Sequence, residues 1–239
     1  MRLLVRIFAL LFIALTAHGE TLSDRYGESL VGYWGADGYA NSDTAGATMH
    51  DASGRGNDGT AEGDAYFDGD AMVFDGVDDG VKISNTVLSS GQDKVTVSAW
   101  IYITGNANNS YERYVDIQDG SGGNSLILYW DDDDKEYGFR GFGNFATVTG
   151  QDPPQGQWMH WVGVMDGSDA KFYLDGDLQA TASISGTTAD SVVAIGTKYS
   201  ASGDEAMAKI ADVTIFNRAL SEKEITWLYH NVRPEGVLQ

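Results

Sequence analysis

The 239-residue chain carries 35 Asp and Glu against 15 Lys and Arg, a formal charge of −20, with 30 Gly, 3 Pro and no Cys. That balance argues against nucleic acid and anionic membrane surfaces as partners, because the protein's field repels both, and the missing cysteines exclude disulfide stapling. The length suffices for one sandwich domain able to bury its own core without a staple.

At the start of the chain, Arg2 and Arg6 precede the short apolar run Ile7–Leu15, and Ala17-His18-Gly19 supplies small residues before Glu20. The pattern predicts a signal peptide over residues 1–19. The run is shorter than the roughly 20 apolar residues that span a bilayer. The expected mature domain covers 20–239 and is secreted, or periplasmic or cell-surface in a bacterium. Losing Arg2 and Arg6 would take the formal charge from −20 to −22.

The segment His50–Ser84 packs acids, Asn and Gly around the apolar runs Ala71–Phe74 and Val81–Ile83. Asp and Asn hold tight turns through side-chain-to-backbone hydrogen bonds, and the same oxygens are hard ligands suited to calcium. Strand signals rich in Val, Ile, Tyr, Trp and Phe begin at Leu30–Trp34, Ala71–Phe74, Val81–Ser84 and Val95–Ile103. They continue at Tyr114–Ile117, Ser125–Trp130, Glu136–Phe142, Phe145–Thr149, Trp158–Met165, Ala170–Leu174, Leu178–Ser183, Val192–Ile195 and Lys209–Phe216. Within Val95–Ile103 one face is wholly aliphatic, which predicts core; the other carries Trp100 and Tyr102 and is expected to be covered or functional. Asp175-Gly176 predicts a type I′ hairpin turn, and Asp131–Asp134 a solvated hairpin tip. A helix is predicted after Ser221, with Glu224 completing a capping box, Leu220 and Ile225 a hydrophobic staple, and Ile225, Leu228 and Tyr229 on the buried face.

Six motifs in order then carry a resemblance: LVGYWGADG, DASGRGNDGT, AMVFDGVDDGVKI, VTVSAWIYI, GQWMHWVGVMDGSDAKFYLDGDLQ and KIADVTIFNRALSEKEITWLY. Together they resemble a laminin-G-like, concanavalin A-like jelly roll of the LamG/pentraxin type over nearly all of residues 29–230. The resemblance implies an all-β fold, a two-sheet antiparallel jelly-roll sandwich with one short C-terminal helix. Gly80 departs from it, standing where relatives often carry an aromatic.

The resemblance also implies neighbouring first and last strands, which would bring Asp37, Asp51, Asn57, Asp75 and Asp212 into one region as ligands of a structural Ca²⁺. The alternative is that these residues build Asx turns with no metal. For a glycan, the resemblance places Tyr111, Arg113, Tyr129, Trp130, Tyr137, Arg140 and Asn144 of the middle strands on the ligand face or its rim. Arg140 among Phe139, Phe142 and Phe145 is the expected spot for an acidic or hydroxyl-rich ligand. The competing reading puts most of these aromatics between the sheets. His160 has no evident Ser or Cys partner and reads as structural. The E-x-D-x-x-E signature of retaining glycosidases and the strand patterns of alginate-type lyases are absent, so no catalytic residue is expected. The function expected is a secreted, non-catalytic carbohydrate-binding or adhesion module stabilised by calcium. The alternatives are a protein-interaction or self-assembling module and a polysaccharide-degrading enzyme of the same fold.

Overall fold

The structure, a computed structural model, describes residues 20–35, 46–107, 111–121, 125–200, 203–234 and 237. The predicted leader lies outside them. Helix α1 (Leu22–Tyr26) is followed by β1 (Leu30–Trp34), β2 (Thr48–Met49), β3 (Gly59–Glu62), β4 (Tyr66–Phe67), β5 (Met72–Asp75), β6 (Gly80–Leu88), β7 (Lys94–Ile103) and β8 (Tyr111–Gln118). Then come β9 (Leu126–Asp131), β10 (Glu136–Gly141), β11 (Asn144–Thr149), β12 (Trp158–Asp166), β13 (Asp169–Leu174), β14 (Asp177–Ser183), β15 (Ser191–Ile195), β16 (Met207–Phe216) and helix α2 (Glu222–Asn231).

The strands form two sheets. Sheet one runs β14-β13-β12-β7-β16-β5-β4, with β1 also paired to β16; sheet two runs β11-β10-β9-β8-β15-β6-β3-β2. Every pairing between the described strands is antiparallel. The first and last strands are neighbours, as the resemblance implied. Along one edge β16 pairs with β5 over Met207–Ile210 and then with β1 over Val213–Phe216. Asp212 stands at the change of partner with φ +49.

The inner faces of the two sheets bury each other. From β7 come Val95, Val97, Ala99, Ile101 and Ile103; from sheet two come Tyr114, Ile117, Leu128, Trp130 and Phe139. Each large apolar side chain so buried contributes about 1.5–3 kcal/mol. Two glycines mark close approaches. A Cβ on Gly163 would lie 2.2 Å from the Phe139 ring of the opposite sheet. A Cβ on Gly80 would lie 2.3 Å from Thr197, so Thr197 fills the space in which a side chain at position 80 would stand.

The outer face of sheet one is also covered. Leu22 and Tyr26 of α1 and Ile225 and Leu228 of α2 pack with Val162, Val164 and Phe216. Trp100, on the second face of β7, stacks on Tyr229 at 5.6 Å and donates its indole N–H to the Val232 carbonyl. The helix begins as predicted: Glu224 accepts the Ser221 N–H at 2.9 Å, and Leu220 and Ile225 are buried. Arg218, donating to Glu224 at 2.6 Å, holds that carboxyl down to about 2. The Asp175-Gly176 hairpin has φ +51 and +88 at its two turn residues, as a type I′ turn requires.

Filling the gap at Gly163 should be costly. We expect Gly163→Ala to lower stability by about 1–3 kcal/mol, the usual penalty of overpacking, in urea denaturation, with Phe139→Leu in the same chain restoring part of the loss. An unchanged midpoint would show that the sheets do not meet there.

Candidate functional site

The residues expected to hold calcium separate into different settings. Asp51 is buried, and its carboxylate accepts three backbone N–H groups: Tyr33 at 3.0 Å, Ser53 at 2.9 Å and Asn57 at 2.9 Å. Asn57 donates its amide to the Val31 carbonyl at 2.8 Å, and its own carbonyl accepts the Trp34 indole N–H at 2.8 Å. These two residues therefore fasten the loop to β1 as the Asx chemistry of the sequence allows. Asp212 accepts the Tyr33 hydroxyl at 2.8 Å, so Tyr33 donates to Asp212 through its side chain and to Asp51 through its backbone. Asp37 lies outside the described residues. Asp75 sits elsewhere, at the end of β5, where one carboxylate oxygen from each of Asp64, Asp75, Asp78 and Asp79 lies within 4.8 Å of the others.

The expected glycan-binding residues divide by strand parity. Trp130 and Tyr137 point between the sheets, 1% and 3% exposed, and Tyr137 packs on Trp161 and Phe172. The structure thus moves both off the surface and into the core, as the alternation of side chains along β9 and β10 dictates. On the outer face of sheet two, Tyr111 and Tyr129 stack with ring centroids 4.9 Å apart, and Phe145 meets Tyr129 edge-on at 6.0 Å. Arg140 lies 5.1 Å from the Phe145 ring centre and Arg113 5.4 Å from that of Tyr111. Of the rings, Tyr129 is fully buried beneath the others, whereas Phe145 is 41% exposed. Among the described residues no carboxylate lies within ion-pair distance of Arg140, which neighbours the Tyr111 hydroxyl; burial lifts that phenol to about 12, and the guanidinium pulls it back only partly. Asn144 is half-buried at the tip of the β10–β11 hairpin, with its amide 3.5 Å from the Phe142 carbonyl.

Beside this face lies a polar network that the sequence reading missed. Arg113 donates to Asp116 at 3.2 Å and to Asp204 at 2.9 Å. Asp116 also accepts from the Gln118 amide and, at 3.2 Å, from the Tyr199 N–H. Asp116 and Gln118 are fully buried, and burial raises the Asp116 carboxyl despite the opposing pull of Arg113. Their spacing in YVDIQ, polar residues on one parity of an apolar strand, is the signal that marks a covered polar face. The network fixes Arg113 from below. Arg140, half-buried on β10, is left as the cation of the surface without a carboxylate partner among the described residues.

Two arrangements resemble catalytic ones. Asp131 and Glu136 face each other across β9 and β10, but Asp131 accepts the N–H groups of Asp133 and Asp134 in the hairpin turn, and Glu136 accepts the Tyr129 hydroxyl. Both carboxylates thus serve the hairpin. The tip is further held by Lys135, which pairs with Asp132 and Asp152. The second is His160, for which the structure supplies a partner that sequence distance hides: Ser98 Oγ lies 2.7 Å from His160 Nε2. The pair is buried under α2, between Trp100 at 5.2 Å and Tyr229 at 6.0 Å. With His160 1% exposed and Ser98 2% exposed, no substrate reaches them, and the dyad is a packing element of sheet one.

Two antiparallel sheets over one core, one outer face roofed by helices and the other carrying aromatic and charged side chains, define a lectin-like jelly-roll sandwich. The model of the concanavalin A-like lectin/glucanases superfamily matches residues 75–226, more than half of the chain, and the chain belongs to that superfamily. No curated protein matches it. Among solved structures, Trypanosoma rangeli sialidase superposes with a TM-score of 0.63 at 17% identity over 84% of this chain. This chain spans about a third of that enzyme's length, 32%. Domain 4 of AbnA, an extracellular GH43 arabinanase from Geobacillus stearothermophilus solved with arabinotriose, gives 0.60 at 19% identity, covering 84% of this chain and 98% of that one. The binding domain of botulinum neurotoxin serotype D gives 0.63 at 14% identity, covering 86% and 52%. At these identities the likeness is one of fold.

Burial holds the His160 imidazole down to about 3, so it is neutral in the folded protein while the unfolded chain takes up a proton near pH 6.5. This contribution to stability is complete above about pH 7 and falls as the pH drops from 6.5 toward 3. Between pH 6.5 and 4.5 the loss should reach about 2–3 kcal/mol in urea denaturation, and His160→Gln should flatten that slope. An equally steep slope in the variant would mean that the imidazole is not buried neutral.

Proposed function

We propose that the protein is an exported, non-catalytic carbohydrate-binding module whose ligand lies on the outer face of sheet two, against Arg140 and Phe145. The observation that carries this reading is an Arg140 guanidinium without a carboxylate partner among the described residues, set beside a partly exposed aromatic ring 5.1 Å away. A flat apolar ring suits the C–H face of a sugar, and a planar five-donor guanidinium suits its hydroxyls or a uronic-acid carboxylate. The rings beneath are stacked, Tyr129 buried and Tyr111 half-buried, so the platform is preorganised and little side-chain freedom is lost on binding. Asn144 at the hairpin tip adds an amide at the rim. A complex of a like-folded domain with arabinotriose shows that this architecture accommodates a sugar in another protein and supports the reading by analogy.

The non-catalytic part of the reading rests on where the acids are engaged: Asp131 and Glu136 in the hairpin, Asp116 in the Arg113 network. Export rests on the signal-like residues 1–19. Among the described residues no helix is long and apolar enough to cross a membrane.

On an array of neutral and uronic-acid-containing polysaccharides the protein should bind a defined subset without turning it over. Arg140→Ala and Phe145→Ala should each weaken binding tenfold or more with melting temperatures preserved, since both side chains face outward. Binding unaltered in both variants, or a defined oligomer in solution with no polysaccharide bound, would overturn the assignment. Release of reducing ends or unsaturated products would overturn its non-catalytic part.

A further inference from the structure

We propose that a divalent cation of calcium's size binds where the two crossover connections between the sheets meet, held by Asp64, Asp75, Asp78 and Asp79. The chain leaves β3 in sheet two, passes Asp64 and enters β4 in sheet one; it leaves β5 at Asp75 and returns through Asp78 and Asp79 to β6 in sheet two. The two crossings run in opposite directions and touch. Gly63 stands at φ +69, and a Cβ there would come 2.5 Å from the Asp78 carbonyl oxygen and 2.6 Å from Asp79 Oδ1. The glycine keeps open a space bordered by oxygens from the other crossing.

Acidic residues collect on any surface of this charge, so their grouping alone indicates nothing. The second observation is Asp79. It is only 2% exposed; its Oδ2 accepts the Asp75 N–H at 2.9 Å, while Oδ1 is buried and has no hydrogen-bond donor among the described residues. Buried polar atoms are almost always paired, because an unpaired one forfeits its hydration with nothing in return. The same chain shows what a satisfied buried carboxylate looks like: Asp51 receives three N–H donors. Asp79 receives one, and its bare oxygen faces the other crossing at Gly63, next to Asp64.

The donor set selects the ion. Carboxylate and carbonyl oxygens without His or Cys favour a hard cation. Calcium–oxygen distances of about 2.3–2.6 Å let ligands of one ion lie up to roughly 5 Å apart, whereas magnesium's, about 2.0–2.1 Å, allow roughly 4 Å. The four oxygens all lie within 4.8 Å of one another, a spacing that one calcium ion can bridge. Asp64, Asp75 and Asp78 are exposed, leaving room for the waters that complete a shell of six to eight. An ion here would join the two sheets, and binding only to the folded state would stabilise it. The site is independent of any glycan. It shares only Asp75 with the set that the sequence resemblance implied.

The test uses the purified protein after EDTA treatment and dialysis. Isothermal titration with CaCl₂ should give one equivalent, with MgCl₂ at least tenfold weaker, and 10 mM CaCl₂ should raise the melting temperature by several degrees. Asp79→Asn should cut calcium affinity at least tenfold and raise the melting temperature in EDTA, because it removes a buried charge. Should that variant fail to fold, Asp64→Asn, whose side chain is exposed, should lose calcium affinity to the same extent. The proposal is overturned if the wild-type protein shows neither heat nor stabilisation with calcium. It is also overturned if the response survives the Asp64 substitution intact, which would place the cation elsewhere, for example near Asp212.

Discussion

A two-layer sandwich has four sheet faces, and every apolar one must be covered. The inner pair cover each other here, with the β7 aliphatics set against Leu128, Trp130 and Phe139. The outer face of sheet one is apolar as well, carrying Trp100, Val162 and Val164, and the short helices at either end of the described chain are what close it. That requirement explains the terminal architecture. Tyr26 of α1 packs on Phe216 at 4.9 Å and on Trp227 of α2 at 6.0 Å, and β1 pairs with β16. The fourth face has no helix over it among the described residues. It carries Tyr111, Arg113, Tyr129, Arg140 and Phe145, and this asymmetry between the two outer faces underlies the functional reading.

The long strands and α2 were legible because their side-chain period is unambiguous. The alternation in Val95–Ile103 separated core from cover, and the structure resolves the Trp100 face as covered. β2 and β4, with two residues each, and β3, with four, are too short for any period to show, and α1 has five residues. Individual surface assignments were harder. Tyr129 and Trp130 are equally aromatic neighbours, and only the registry with β10 sends one outward and the other inward. The Ser98–His160 contact spans 62 residues of sequence and follows from β7 pairing with β12, which a lone histidine in a strand does not announce. Asp51 and Asn57, expected as calcium ligands with Asx turns as the alternative, fasten their loop to β1 through hydrogen bonds, and nothing in their spacing reveals how many N–H groups each receives.

The acidity of the chain has a structural component. Many carboxylates accept backbone N–H groups, near or far in sequence: Asp68 from Asp70 and Ala71, Asp75 from Val77, Asp131 from Asp133 and Asp134, Asp175 from His160, and Glu112 from Ala107 and Met207. In a protein without disulfides, such charge-assisted bonds hold the connections between short strands. Burial raises Glu112 to about 7, which shows the cost of taking such a group out of water even with two donors. Asp79, with one donor and one bare oxygen, is the place where this economy is incomplete, and a cation would complete it.

The asymmetry of the outer faces is open to a direct measurement, because the chain has no cysteine of its own. Single substitutions Thr147→Cys, beside Phe145 on sheet two, and Val162→Cys, beneath α2 on sheet one, can be labelled with a thiol reagent under native conditions, with and without a bound polysaccharide. The account predicts rapid labelling at position 147 that slows when the polysaccharide is present, and no labelling at position 162 until the protein unfolds. Comparable rates at the two positions, or a rate at 147 indifferent to bound polysaccharide, would contradict it.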